Sequence, residues 1–364
     1  MKKALKIIII VIAAVAVISA SVALYVNSKL NKISYDTDIN IENDNITEET
    51  DFADKEDKED VAEPELNDTS IVNILLLGTD VRIKTKPDPG RADCNMILSL
   101  NKGTGEIKLI SLERGIYVPV DPKITEDGRT SDLLTHIYHW GGGKLSQKTV
   151  EKQFRVPLDG YAQVNFNRFS KVVDAIGGVD IELTQAEADA LNQKRYTNTK
   201  KLSREVDVGI NHLSGFETLQ YCRLRYTDDD WTRQQRQRNA IAACLKQIKS
   251  LNLIELNNLA DEVLPLIKTN LSKEKIADLL LYSPKFLGEF KNGLQTLQVP
   301  DKNRTENRFI CCDFDYESKK ISNFIYGTNY ELKSPYTGWT ANNYKGNTID
   351  QTGTKSDNST AEKN

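Results

Sequence analysis

From residue 71 onward the chain alternates between short apolar runs and helical apolar stripes. "IVNILLLGTD" is an apolar run ending in Gly78, Thr79 and Asp80, the pattern of a buried strand. "NMILSLN", "IKLISLER" and "IYVPV" predict three more strands, with "TGE" as a hairpin-type turn between Leu100 and Ile107. "LSQKTVEKQF" and "NFNRFSKVVDAIGG" space their apolar residues at three and four, which predicts helices, and Gly177-Gly178 stops the second. "VDIEL" reads as a strand. "TQAEADALN" and "SGFETLQY" open with Thr184/Glu187 and Ser214/Glu217 at capping-box spacing. "YCRLRY" reads as a short strand whose alternation sets Arg223 and Arg225 on one face and Cys222 and Leu224 on the other. "TRQQRQRNAIAACLKQIKSL" is a long amphipathic helix. Further helices follow to about 292, then a late strand in "LQTLQVPD" and a last helix in "YESKKISNFIYG". Strands mixed with helices through one continuous stretch predict a single α/β domain.

The ends carry a different pattern. Lys2, Lys3 and Lys6 precede about twenty uncharged, mostly apolar residues, Ile7 to Val26. That length spans a bilayer core as a helix. A cleaved signal peptide is the competing reading, but the run continues past "SASVA" through Leu24, Tyr25 and Val26. The leading lysines place the N-terminus inside, so the body is expected outside a cell membrane on a single-pass anchor. The predicted organisation is an anchor over 1–30, an acidic linker over 31–70, the body over 71–330 and a polar tail over 331–364. The formal net charge is −4, yet residues 36–68 alone hold 15 acidic residues and 2 lysines. The rest of the chain is therefore net positive, which suits an anionic ligand or surface. An outward-facing body argues against nucleic acid. The linker is expected to be a spacer that lifts the body off the membrane. Five cysteines, an odd number with no Cys-x-x-Cys, read as small half-buried side chains.

Candidate chemistry lies in four places. Asp80 and Asp93 end and begin neighbouring strands, with Arg91 just ahead of Asp93, and carboxylates so placed can share a hard cation such as Mg2+. Arg114 ends an apolar strand. Residues 221–238 pack Arg223, Arg225, Arg233, Arg236 and Arg238 around Asp228, Asp229 and Asp230. Guanidinium groups bind phosphate with planar, often bidentate hydrogen bonds. In the helix, Arg233 and Gln237 share a face at i, i+4, with Arg236 close by. Arg238 and the three aspartates read as outer-face or loop charges. His136 and His139 stand at i, i+3 with no third ligand near, and "GGGKLSQK" is a weak phosphate-loop pattern.

Taken in order, "NILLLGTD", "GRADCNMILSLN", "IKLISLERGIYVPV", "THIYHWGG", "YAQVNFNRFSKVVDAIGGVDIEL", "NHLSGFETLQYCRLRY" and "WTRQQRQRNAI" resemble the LytR–CpsA–Psr family over about residues 70–250. The resemblance implies a three-layer α/β/α domain with a central mixed sheet, outside the membrane. It implies a phosphotransferase that moves a glycopolymer, teichoic acid or capsule-like, from an undecaprenyl diphosphate carrier to peptidoglycan. Mg2+ would sit on the diphosphate, held by Asp80 and Asp93. Arg91, Arg114, Arg223, Arg225 and Arg233, with Gln237, would surround the diphosphate; Arg236, which the resemblance does not match, is added to that set for its place close beside them, although it could equally belong with the outer-face charges. Arg114 and Arg225 would lie nearest the developing charge, with Asp93 also in the catalytic set. Two positions depart. The family usually has Pro-Arg-Asp where this chain has Glu113-Arg114-Gly115, and usually Lys where it has Leu133. A lipid-diphosphate carrier or a pyrophosphatase is therefore the alternative reading.

Overall fold

A nine-residue strand that is apolar on both faces needs a layer on each side. β2 (Ile71–Thr79) is such a strand, with Leu75 and Leu77 facing one core and Val72 and Ile74 another. The computed structural model describes residues 27–35, 69–80, 90–193, 202–224, 230–290, 293–300 and 313–327. β2, β3 (Ala92–Asn101) and β4 (Ile107–Leu112) form an antiparallel meander. β7 (Gly160–Asn165) joins β2 in parallel, and β11 (Gln295–Val299) joins β4 in parallel. β10 (Lys268–Thr269) runs antiparallel to β7, and β1 (Ser34–Tyr35) runs parallel to β10 at the edge. The seven-stranded order is β1-β10-β7-β2-β3-β4-β11, a mixed sheet. Its register stacks Tyr161, Leu75, Ile97 and Ile110 across one face.

Two helices cover that face. α1 (Leu134–Phe154) contributes Ile137, Tyr138, Val150 and Phe154, and α8 (Phe314–Tyr326) contributes Phe314, Ile321 and Ile325. On the other face α7 (Lys273–Glu289) brings Phe286 onto Val72, Ile74, Leu100 and Ile107. A second unit packs beside it. It comprises α2 (Phe166–Ala175), the hairpin of β8 (Val179–Leu183) and β9 (Gly209–Leu213), α3 (Gln185–Asn192), α4 (Gly215–Arg223) and α5 (Asp230–Ser250). α6 (Leu253–Val263) follows. β5 (Tyr117–Pro119) and β6 (Ser131–Leu133) form a small ladder apart from the main sheet. Both predicted capping boxes are present, with Thr184 opening α3 and Ser214 opening α4. The α/β class with a central mixed sheet is as the pattern predicted.

Three local readings change. "YCRLRY" does not begin as a strand: Arg223 is the last residue of α4, and Leu224 is its cap. A helix nucleated by the Ser214 box runs on through residues that alternate only by chance. "GGG" is a kink inside one helical run and not a separate loop. Gly141 and Gly142 kink α1, and Gly142 sits at φ 61°. A Cβ at Gly143 would come within 2.4 Å of the Tyr161 ring, so glycine is required there. Finally, Ser34 and Tyr35 already pair with Lys268 and Thr269. The body therefore takes in residues ahead of the acidic stretch, inside the range assigned to the linker. No described helix is long and apolar enough to cross a membrane. The run Ile7–Val26, the acidic stretch 36–68 and the tail 331–364 lie outside the described residues.

The start of α1 is fixed by a buried carboxylate. Asp132 accepts from His136 Nδ1 at 2.7 Å, Trp140 Nε1 at 2.9 Å, Arg129 Nη1 at 2.9 Å and the Leu133 N–H at 2.8 Å. His136 and Trp140 lie one and two turns along the helix, so Asp132 staples both turns to β6. His139 instead packs edge-on to Trp140. The Thr135 and Leu134 N–H groups donate to the carbonyls of Arg114 and Ile116, at 3.0 and 2.7 Å, which locks this end of α1 to the strand carrying Arg114. Burial alone would raise the Asp132 pKa, but the hydrogen bonds from His136, Trp140 and Leu133 outweigh it and bring it to about 2. The folded value lies below the unfolded one of about 4, so this stabilisation is complete above about pH 4 and is lost as pH falls toward 2. It is worth roughly 2 kcal/mol. Asp132→Asn is expected to lower the unfolding free energy at neutral pH by about that amount or more. Urea titrations at several pH values should show the gap to wild type closing between about pH 4 and pH 2.

Candidate active site at the strand ends

The antiparallel register of β3 and β4 sets Asn95 opposite Leu112. Continued by two residues, it sets Asp93 opposite Arg114. The two side chains meet there, with Arg114 Nη1 2.9 Å from Asp93 Oδ1. The other carboxylate oxygen lies 3.5 Å from Arg233 Nη2, which descends from the first turns of α5. Asp93, Asn95, Leu112, Glu113, Arg114, Arg233, Gln234 and Gln237 together line a small pocket. Arg233 is buried, whereas the Arg114 side chain is about 25% exposed. Arg233 thus forms the floor and Arg114 the mouth. Four predicted residues, Asp93, Arg114, Arg233 and Gln237, come together here.

Asp80 directly follows β2, the strand paired with β3. Its Oδ1 accepts from the Arg91 N–H at 2.8 Å, and its own N–H donates to the Arg91 carbonyl at 3.0 Å. Arg91 thus meets Asp80 through its backbone, and its side chain is exposed. Arg223 stands at the end of α4 with its guanidinium 5.1 Å from the Phe166 ring centroid, a cation–π contact. Arg225, Asp228 and Asp229 lie outside the described residues, and Asp230 begins α5.

Two arginines of the same helix go elsewhere. Arg236, expected beside the diphosphate, is about 2% exposed and donates from Nε to Glu187 Oε1 at 2.8 Å and from Nη1 to the Leu224 carbonyl at 3.1 Å. It ties α5 to α3 and to the end of α4. Arg238, expected on the outer face, is buried under α5. It donates to Ser111 Oγ at 3.0 Å and to Gln298 Oε1 at 3.2 Å on the sheet. Burial lowers its pKa. Helical phase turns Arg238 about 140° from Arg233, whereas Arg236, only about 60° away, is drawn off by Glu187 and the Leu224 carbonyl.

Glu113 and Gln234 line the pocket without having been candidates. Glu113 is 0% exposed, accepts from Gln234 Nε2 and accepts from the Gly115 N–H at 3.3 Å. The available signal was strand alternation in "ISLERG", which turns Glu113 away from Arg114 and into the protein. Cys94, Cys222 and Cys244 are free thiols. Burial raises all three, Cys94 and Cys244 to about 12, so they are neutral at physiological pH. Cys311 and Cys312 lie outside the described residues.

Asp80 and Asp93 are the residues that would hold Mg2+. It is commonly held by one or two carboxylates together with substrate phosphate oxygens and water. Asp80 and Asp93 provide two at neighbouring strand ends, and no cluster of three or more His, Cys, Asp or Glu that could hold a metal occurs among the described residues.

The Arg236–Glu187 pair should behave as interior structure. Glu187→Gln would leave a buried guanidinium without its carboxylate, and breaking a buried pair costs about 3–5 kcal/mol. A loss in that range by urea unfolding, with the pocket lined by Asp93 and Arg114 still binding phosphate-bearing ligand, is the expected result.

Comparison with known proteins identifies the family and the fold. The LytR_cpsA_psr family model matches residues 33–326. A polyisoprenyl-teichoic acid–peptidoglycan teichoic acid transferase TagU of Bacillus cereus is 32% identical over 228 residues, covering 61% of this chain and 68% of the relative. The structure of protein gbs0355 from Streptococcus agalactiae superposes with a TM-score of 0.62 at 22% identity, covering 76% of this chain and 94% of that one. The family protein YwtF (TagT) with bound octaprenyl pyrophosphate superposes with a TM-score of 0.51 at 22% identity, covering 71% and 91%. The match begins at residue 33, one residue before β1, which agrees with the sheet taking in that strand. The chain belongs to the LytR_cpsA_psr family.

Proposed function

We propose that this protein is a membrane-anchored phosphotransferase of the cell envelope. It transfers a glycopolymer, teichoic acid or capsule-like, from a polyprenyl diphosphate carrier to peptidoglycan. The observation that carries the reading is the convergence of Asp93, Arg114 and Arg233 in one pocket at the ends of β3, β4 and the start of α5. A diphosphate is the ligand for which two guanidiniums beside a pair of strand-end carboxylates are suited. Relatives named as teichoic acid transferases, and the octaprenyl pyrophosphate bound by YwtF, support the same class of substrate. Undecaprenyl is the chain length we expect.

A hydroxyl of the acceptor attacks the phosphorus next to the glycopolymer. The bond from that phosphorus to the bridging oxygen breaks, and lipid monophosphate leaves. The proton of the hydroxyl passes to a strand-end carboxylate, Asp80 or Asp93. Arg114, at the mouth, donates to the phosphoryl oxygens whose charge grows, and Arg225 is proposed beside it. Arg233 and Gln237 hold the diphosphate from below. Mg2+, when held by Asp80 and Asp93, supplies neutralisation of the diphosphate charge. The prenyl tail would lie over the second face of the sheet. There Leu76, Leu98 and Ala162 are only half-buried, packed against the cluster of Val72, Ile74 and Phe286.

The test is a single reaction of full-length protein, lipid-linked glycopolymer, a peptidoglycan oligomer and Mg2+. Arg114→Ala is expected to cut glycan transfer about 10²–10³-fold, the usual effect of removing one donor to developing charge. Tight lipid binding with no glycan product from the wild-type chain would instead mark a carrier, the reading that Gly115 and Leu133 favour. Free lipid phosphate without glycan attachment would mark a pyrophosphatase.

A further inference from the structure

The chain enters the body by way of two helices. Lys29 places Nζ on the Asp261 carboxylate and 3.4 Å from the Asn257 carbonyl, and Lys32 Nζ lies 2.9 Å from Asp261, all on α6. From α7, Lys273 donates to Asn31 and stands 5.6 Å from the Tyr35 ring centroid. The bilayer-length apolar run ends at Val26, three residues before Lys29. Three residues reach at most about 11 Å. An anchored chain therefore holds α6, and α7 beside the same segment, close to the membrane surface.

These helices also expose apolar side chains. Ile254 of α6 is 74% exposed and Leu281 of α7 is 80% exposed, with Leu280 and Tyr282 exposed beside it. α7 divides into two flanks. On one, Lys275, Asp278 and Lys285 are tied to Asp159 at 2.6 Å, Lys102 at 2.7 Å and the Lys102 carbonyl at 3.1 Å. On the other, Ala277, Leu280, Leu281, Pro284, Leu287 and Gly288 recur at helical spacing without a charge. Pro284 lacks the N–H that would serve the Leu280 carbonyl. Ser283 Oγ donates to that carbonyl instead, at 2.8 Å. A face that meets hydrocarbon must satisfy its backbone from within, and this bond does so at the one position where the helix fails.

The geometry points to a membrane-docking surface, with Ile254 of α6 and Leu280 and Leu281 of α7 seated in the outer leaflet and Lys29, Lys32 and Lys273 at the level of the lipid phosphates. This rests on the anchored reading above and extends it. The body lies on the bilayer instead of standing off it. A carrier lipid then passes from leaflet to protein without its prenyl tail crossing water.

The experiment uses the full chain in vesicles of phosphatidylglycerol and phosphatidylethanolamine. The photo-crosslinker p-benzoylphenylalanine replaces Leu281, Ile254 or, as control, Ile210, which is 78% exposed on the β8–β9 hairpin. Phospholipid adducts at 281 and 254, at least tenfold above 210, are expected. Equal yields at all three positions, or none at 281 and 254 while the protein resists a carbonate wash, would overturn the docking surface and leave the anchor standing. Release of the chain by carbonate would overturn the anchored reading and this inference with it. As a second measurement, Leu281→Glu is expected to slow transfer from vesicle-embedded carrier about tenfold while leaving transfer from detergent-dispersed carrier unchanged. Undiminished transfer in vesicles would count against the proposal.

Discussion

Asp93 lies between two guanidiniums that arrive from different parts of the chain, and the site depends on that arrangement. Arg114 comes along the strand by register, and Arg233 comes from a helix laid over the strand ends. Sinking Arg233 into the protein is costly unless a carboxylate accompanies it. Asp93 supplies that charge while no substrate is bound. A diphosphate carries more negative charge than one carboxylate, and its oxygens match the guanidinium fork. On the proposed function, binding would be an exchange of partners, the arginines turning from Asp93 to phosphate, and an ordinary surface carboxylate would gain little from it.

The densest run of arginines in the sequence is not a cluster in space. Arg233, Arg236 and Arg238 lie within six residues of α5 and reach the pocket, Glu187 and Ser111 respectively. The first answers to chemistry, and the other two hold α5 down on α3 and on β4. Local composition could not separate them, because their partners are remote in sequence. What was legible was what is decided locally. Apolar runs marked the main strands, and Thr184/Glu187 and Ser214/Glu217 marked helix starts by direct side-chain contact. "YCRLRY" was misread because alternation over a few residues carries less weight than a helix already nucleated upstream. The staple at Asp132 left a trace, since an acid four residues before His136 and eight before Trp140 lies on one helical face. It needed the expectation of a helix at 134, which the three glycines discouraged.

The departures at 113 and 115 acquire a physical meaning together. Strand alternation sends residue 114 toward the pocket mouth and residue 113 inward. At 115, where the family usually has an acid, Gly115 carries no side chain. Glu113 offers a carboxylate, but a fully buried one held by Gln234 and the Gly115 N–H. It therefore fixes the turn that presents Arg114 and the helix that carries Arg233. The chain keeps the framework that aims its arginines and alters the groups around them, which leaves Asp80 and Asp93 as the carboxylates nearest the proposed chemistry.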